Sequence, residues 1–334
     1  MSRHAMNKPA LNRFLVLAAV LGLAAFSNNP YVINLLVVCG LYALPAIGLS
    51  LLMGYTGQIS LGQSAFVGVG AYGSVLLAQH LQLDPWCSLA LATALSAFTA
   101  WSLGWLVFRL KGHHLAMATL AIALILHTVL VEWRSVTGGP DGISAIDPIA
   151  IAGHALLDDL HFLPLAWLVC YAGLCLADYL VRSPFGLAMR TVSENEAVAR
   201  SLGIDAAQVK RKVMALSGAY AGLGGALYAH WIGYISPEPF SVAFSIKLLL
   251  IVALGGVSGV WNVLFGVFIV VIVSEWLKPL GRLDVVIYGL LLIVVMIYCR
   301  EGAVAALAGL YRKLPQRLRP GARAGLKLQG RTSA

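Results

Sequence analysis

The residues able to do chemistry are few in this chain, and most are badly placed for it. Adjacent His113 and His114 could form half of a metal site. Neighbours on a helix point about 100° apart, however, and no nearby carboxylate completes a ligand set, so no metal is expected. Glu132, Asp178, Lys247 and Glu275 lie in or beside apolar stretches, all toward their ends. A charge at the bilayer centre costs at least ~2.5–3.5 kcal/mol on insertion scales. Ion-coupled carriers accept that cost because the charge is their mechanism; this chain avoids it. A membrane enzyme would need His, Asp or Glu clustered at helical spacing, and no such cluster occurs. No Gly-rich loop ends in Gly-Lys-Ser/Thr, so the chain gives no sign of binding ATP by itself. Catalysis and a resident cofactor are therefore not expected.

Two polar stretches remain. In residues 54–80, Gly54, Gly57, Gly62, Gly68, Gly70 and Gly73 interrupt the hydrophobicity and bring in Gln58, Ser60, Gln63 and Ser64. A lipid-facing helix gains nothing from these, so the stretch should be broken, buried or lining a polar path. Close helix packing through small residues would use the same Gly and Ser. Both readings stand, with Gly54, Gln58, Ser60 and Gln63 as candidates to line or gate a path.

The second stretch is residues 183–212, where Ser193 and Glu196 have the spacing of a capping box. It predicts a short helix from Glu194 to Leu202 that stops at Gly203 in the left-handed conformation. Asp205 then caps the next helix. Ala197, Val198, Ser201 and Leu202 fall on one face of the short helix as a narrow contact stripe. Such a helix could sit in a partner's groove, or be an ordinary connector resting on lipid headgroups.

The elements that carry these stretches are membrane helices. Sixty per cent of the chain is hydrophobic and 11% is charged, against about 25% charged in an ordinary soluble domain. Apolar runs at 14–26, 31–53, 86–108, 115–133, 162–181, 213–231, 242–257, 260–277 and 285–298, with the broken stretch at 54–80, make about ten spans. An uncleaved first span is favoured over a signal peptide, since another apolar run starts at Tyr31 and no convincing small-residue cleavage site precedes it.

The net charge of +9 is not a nucleic-acid signature. Basic residues crowd the N-terminus, loop 183–212 and the tail 311–334, while loop 134–161 is acidic, with Asp141, Asp147, Asp158 and Asp159. This is the positive-inside pattern, and it predicts cytoplasmic termini, with a transmembrane domain over residues 1–310. Gly255, Gly256, Ser258 and Gly259 break the second half much as Gly57 breaks the first. Interrupted segments at corresponding places in two halves point to a transport path.

Three motifs now occur in a recognisable order: Gly54-Tyr-Thr-Gly-Gln-Ile-Ser-Leu-Gly62, Thr137-Gly-Gly-Pro-Asp-Gly-Ile143, and Glu194-Asn-Glu-Ala-Val-Ala-Arg-Ser-Leu-Gly-Ile204. Together they resemble the permease subunits of bacterial branched-chain amino acid ABC importers, and more narrowly the larger of the two paired permeases. The resemblance implies an inner-membrane location, a second homologous permease, cytoplasmic subunits that bind ATP and Mg, and a periplasmic amino-acid-binding protein. It also implies that the helix near Glu194, Glu196, Ala197, Leu202 and Gly203 is the coupling helix that docks on the ATPase. Related permeases serve urea, short amides and other amino acids, and no residue here decides the cargo. The Glu-Ala-Ala…Gly pattern that ABC importers in general carry in this loop is met loosely, with Val198 for the second Ala and the Gly one residue late.

Overall fold

The computed structural model describes residues 29–298, except 109, 111–112, 152, 256–258 and 279–283. The predicted first span at 14–26, the basic tail and the Gly256–Ser258 part of the second break lie outside the described residues. The described chain is a helical bundle. The only sheet among these residues is a two-residue hairpin, β1 (Ala150–Ile151) with β2 (His154–Ala155), inside the acidic loop.

The helices follow the apolar runs. They are α1 (Pro30–Ser50), α2 (Gln63–Leu81), α3 (Pro85–Val107), α4 (His113–Glu132), the single turn α5 (Arg134–Thr137) and α6 (Asp159–Arg182). After two short helices come α9 (Ala206–Ile232), α10 (Val242–Gly255), α11 (Asn262–Leu277) and α12 (Asp284–Tyr298). Starts are set locally: Asn29 and Asp84 cap α1 and α3 through side-chain oxygens, each followed by a proline in the first turn. Among the described residues, four segments can each cross a membrane by length and composition: Pro30–Tyr55, Pro85–Val107, His114–Glu132 and Asp159–Arg182.

Helix α1 is the hub, buried along most of its length and packed by α6, α9, α10 and α11. The Trp167 indole on α6 donates to the Leu36 carbonyl at 3.0 Å and stacks on Phe268 of α11. From the other side, the Tyr220 hydroxyl of α9 donates to the Gly173 carbonyl at 2.7 Å.

The tightest packing joins α2, α3 and α9, where small residues let backbones touch. A Cβ added to Gly70 would lie 2.2 Å from the Gly222 carbonyl oxygen, and one on Gly225 would lie 2.0 Å from that of Val67. Through Gly218, Gly222 and Gly225, one small-residue face of α9 thus contacts both α3 and α2. Membrane helices gain little hydrophobic drive from leaving lipid, so such close contact and interhelical hydrogen bonds must hold them. Ser96 of α3 supplies one bond: its fully buried hydroxyl sits 2.9 Å from the Phe66 carbonyl and 2.8 Å from that of Gly218. Ser96→Ala should destabilise the bundle by about 1 kcal/mol, read as a lowered midpoint in thermal unfolding of the purified protein; an unchanged midpoint would show the hydroxyl to be incidental.

The bundle has an acidic end and a basic end. At the acidic end, Asp159 accepts from Asn34 Nδ2 at 3.0 Å and from Trp231 Nε1 at 2.9 Å. There Ile143 bridges to Ile235, tying the loop before α6 to the connector after α9. Buried His230 adds a second tie, with Nδ1 donating to the Asp147 carbonyl at 2.7 Å and Nε2 2.8 Å from Ser74 Oγ.

Candidate functional site

At the basic end the chain leaves α6 through Ser183 and starts α7 (Pro184–Glu194) on a first-turn proline. Gly186, Met189 and Val192 face the bundle, and this apolar face carries α7 through Ser193 to Glu194. The predicted capping box is therefore not formed. Ser193 belongs to the last turn of α7, and the break falls at Asn195, which is extended (φ −159°, ψ 112°). The Asn195 side-chain oxygen accepts from Ala197 N at 2.9 Å and Val198 N at 3.4 Å, capping α8 (Glu196–Ser201). Asparagine caps as well as serine does, and two cap residues separated by one position let the buried face of α7 decide between them.

Glu196 also departs from expectation. Its carboxylate turns toward α9, where Oε1 pairs with Lys210 Nζ, and Oε2 lies 4.0 Å from Arg200. The Lys210 side chain is 8% exposed and that of Glu196 32%, so the ion pair pins α8 onto α9. Beyond α8, Gly203 takes φ +79° and ends the helix as predicted. Asp205 caps α9 by accepting from Ala207 N and Gln208 N. Ala197, Val198, Ser201 and Leu202 are all exposed, Val198 by 49% and Leu202 by 67%. Glu194 is exposed beside them.

This connector bears directly on the broken stretch. After Ser50 the hub helix widens into a π-helical turn, Leu51–Tyr55, that includes Gly54. Turns of this kind are rare and concentrate at functional positions. Thr56 Oγ1 and Gln58 N then both donate to the Leu52 carbonyl, at 2.6 and 3.1 Å. Gly57 follows at φ +67°, so close to α7 that a Cβ on it would lie 2.9 Å from Ser193 Oγ. The Arg190 guanidinium of α7 stands 5.5 Å from the centroid of the Tyr55 ring.

Residues 57–62 run without helical structure up to Gln63. Gln63 is fully buried and its polar atoms are taken: Nε2 donates to the Pro45 carbonyl at 3.1 Å and the Ser217 carbonyl at 3.2 Å, and Oε1 accepts from Ser217 Oγ at 3.2 Å. Pro45 lies ~22 Å along α1 from Pro30 at ~1.5 Å per residue, within a core of about 30 Å. Gln63 thus meets the hub helix well inside its length rather than at its end. Leu61 N donates to Thr119 Oγ1 of α4 at 3.0 Å, and Ser60 is buried with its hydroxyl accepting from Gly62 N at 3.3 Å. Gln58 is half-buried, and Nε2 donates to the Thr56 carbonyl.

Tyr55, Arg190, Asn195 and Lys210 complete this arrangement and were not singled out by the sequence. Of these, only Asn195 carried a usable signal, as a cap-type residue directly before Glu196. Among the described residues no group of three His, Cys, Asp or Glu could hold a metal.

Residues 31–296 match the family model described as the permease component of the branched-chain amino acid transport system. The chain is 30% identical to the high-affinity branched-chain amino acid transport system permease protein LivM of Escherichia coli K12 over 313 residues, covering 86% of this chain and 74% of that protein. The corresponding permease protein LivH of the same organism is 25% identical over 77% of this chain and 89% of its own length. An autoinducer 2 import system permease protein, LsrC of Photorhabdus laumondii, is 25% identical over 42% of this chain and 40% of its own. No solved structure matches the chain.

Proposed function

The chain belongs to the family of branched-chain amino acid transport system permeases, and on that footing we propose that it forms half of the membrane path of an ATP-driven importer. Its cargo is a branched-chain amino acid. Its partners are a second, homologous permease, ATPase subunits that hold ATP and Mg, and a binding protein that delivers the substrate at the acidic end. It resides in the bacterial inner membrane with about ten spans and both termini on the cytoplasmic, basic side.

The observation that carries this reading is the exposed pair of Val198 on α8 and Leu202 directly after it. The helix is capped at Asn195, ended at Gly203 and pinned by the Glu196–Lys210 pair, so it offers a rigid apolar edge to a groove. Movement of α8 and α7 passes to the hub through Ser193 on Gly57 and Arg190 on Tyr55. The irregular stretch from Gly54 through Gln58 and Ser60 borders the path, because non-helical backbone at membrane depth is tolerated only where it is buried in protein or lines a cavity. Gln63 anchors that stretch to α1 and α9.

Since Glu196 holds the connector together, the docking test belongs on the exposed residues. Val198→Asp with Leu202→Asp should cut co-purification of the ATPase subunits at least about tenfold, while the partner permease is retained. A charge buried unpaired at such an interface costs a few kcal/mol. Normal ATPase recovery with the double variant would remove the docking role. Amino-acid uptake by the chain without any ATPase subunit would replace the whole reading with a self-sufficient carrier.

A further inference from the structure

Helix α9 is the longest unbroken helix among the described residues, 27 residues with no proline inside it. The hub, by contrast, holds Pro45 and ends in a π-helical turn. From Lys210 to His230, α9 rises ~30 Å at ~1.5 Å per residue, about the thickness of the hydrocarbon core. It is clasped along the way. A Cβ on Gly218 or Gly222 would lie 2.4 Å from α3, one on Gly224 2.8 Å from α1, and one on Gly225 2.0 Å from α2.

Both ends of this helix are fastened to surface segments. At the basic end Lys210, its side chain 8% exposed, pairs with Glu196 of α8. A lysine is almost never buried so far without a partner. At the acidic end His230 donates from Nδ1 to the Asp147 carbonyl, while its Nε2 meets Ser74 Oγ of α2. Just past the helix, the Gly233 carbonyl accepts from Ile146 N at 3.4 Å. Ile235 and Ile143 exchange two backbone hydrogen bonds of 2.8 and 3.0 Å. Between these ties exposed Ala145 sits at φ +58°, a conformation that a residue with a Cβ keeps only where its surroundings impose it. The outer loop at 143–147 therefore takes its shape from the end of α9.

We infer that α9 is a rigid link between the docking helix α8 and the outer loop at 143–147, with Lys210 and His230 as the positioning residues at its two ends. The inference rests on the importer reading and adds a route that bypasses the hub. Displacement of α8 by the ATPase passes through the Glu196–Lys210 pair into α9, and α9 delivers it to the loop on the opposite face. Coupling between two sites is reciprocal, so whatever binds the outer loop is felt at α8.

The test is amide hydrogen exchange of residues 143–147 in the transporter assembled with its ATPase subunits in nanodiscs, with and without AMP-PNP and Mg. In the wild type the nucleotide should change exchange at Ile143 and Ile146 about tenfold, within the ordinary range of coupling between sites. Lys210→Met should abolish that difference while the ATPase stays bound through Val198 and Leu202. It strands no charge in the interior, because the Glu196 side chain is 32% exposed. The swap Glu196→Lys with Lys210→Glu should restore the response, which mere loss of stability would not allow. At the far end His230→Leu should silence the loop, and His230→Asn, which keeps an N–H for the Asp147 carbonyl, should preserve its response. These two variants decide the matter if Lys210→Met fails to assemble. A loop that ignores nucleotide in the wild-type complex overturns the link. So does a full response in assembled Lys210→Met or His230→Leu, or a silent assembled swap. A wild-type chain that recruits no ATPase would instead overturn the importer reading.

Discussion

Gly225→Val is expected to leave little folded protein. The first added carbon would sit 2.0 Å from the Val67 carbonyl oxygen and 3.1 Å from Ala71 N, backbone atoms that no side-chain rotation can move aside. Relief requires α9 to separate from α2, which breaks the neighbouring contact of Gly70 with Gly222 and pulls Gly218 from the Ser96 hydroxyl. Overpacking typically costs 1–3 kcal/mol, and a backbone-to-backbone seam lies at the upper end, so about 3 kcal/mol or more is expected. Size-exclusion chromatography and thermal unfolding in detergent should show aggregation or a large drop in midpoint. Gly289→Ala is the control, because an added carbon there meets nothing within 4 Å. If Gly225→Val matched that control, the α2–α9 seam would not be the contact described.

The second large effect concerns coupling. Tyr55 closes the π-helical turn, is buried, and carries the Arg190 guanidinium over its ring. Tyr55→Leu removes the ring and with it an attraction of ~0.5–2 kcal/mol. Tyr55→Phe keeps both the ring and the attraction. In proteoliposomes holding the complete transporter, Tyr55→Leu should lower the amount of amino acid moved per ATP hydrolysed about tenfold, with hydrolysis itself continuing. Tyr55→Phe should stay near wild type. Normal stoichiometry in the Leu variant would show that α7 drives the hub by another contact.

Much of the architecture was readable because lipid leaves the chain so few choices. Each described apolar run became a helix, and Gly57 broke the stretch where its spacing said it should. The errors came where competing local signals are settled by distant packing. Ser193 and Asn195 both qualify as caps, and only the burial of Met189 and Val192 extends α7 past the first of them. The anchoring of Gln63, a candidate to line or gate the path, was not legible either. Its partners, the Pro45 and Ser217 carbonyls, belong to separate helices, and nothing local reveals that they converge. The same holds for Lys210, which reads as one basic residue among several until α8 folds back over it. Tyr55 and Arg190 were invisible for another reason, since a π turn has no composition of its own.

The seam of small residues also bears on how the chain is made. Helices α2 and α9 fall outside the described segments apolar enough to cross a membrane by length and composition; the Gly and Ser that let them touch lower their hydropathy together with Gln63, Gln79 and His80 on α2 and Lys210, Arg211 and Lys212 on α9. Translation delivers α2 early and α9 much later, with α3 to α8 emerging in between. During that interval α2 can settle against α3, α4 and α1, with the face reserved for α9 uncovered. Completion of the bundle is therefore timed by the arrival of α9, and a chain stalled before Gly225 would present an unfinished groove to whatever oversees membrane insertion.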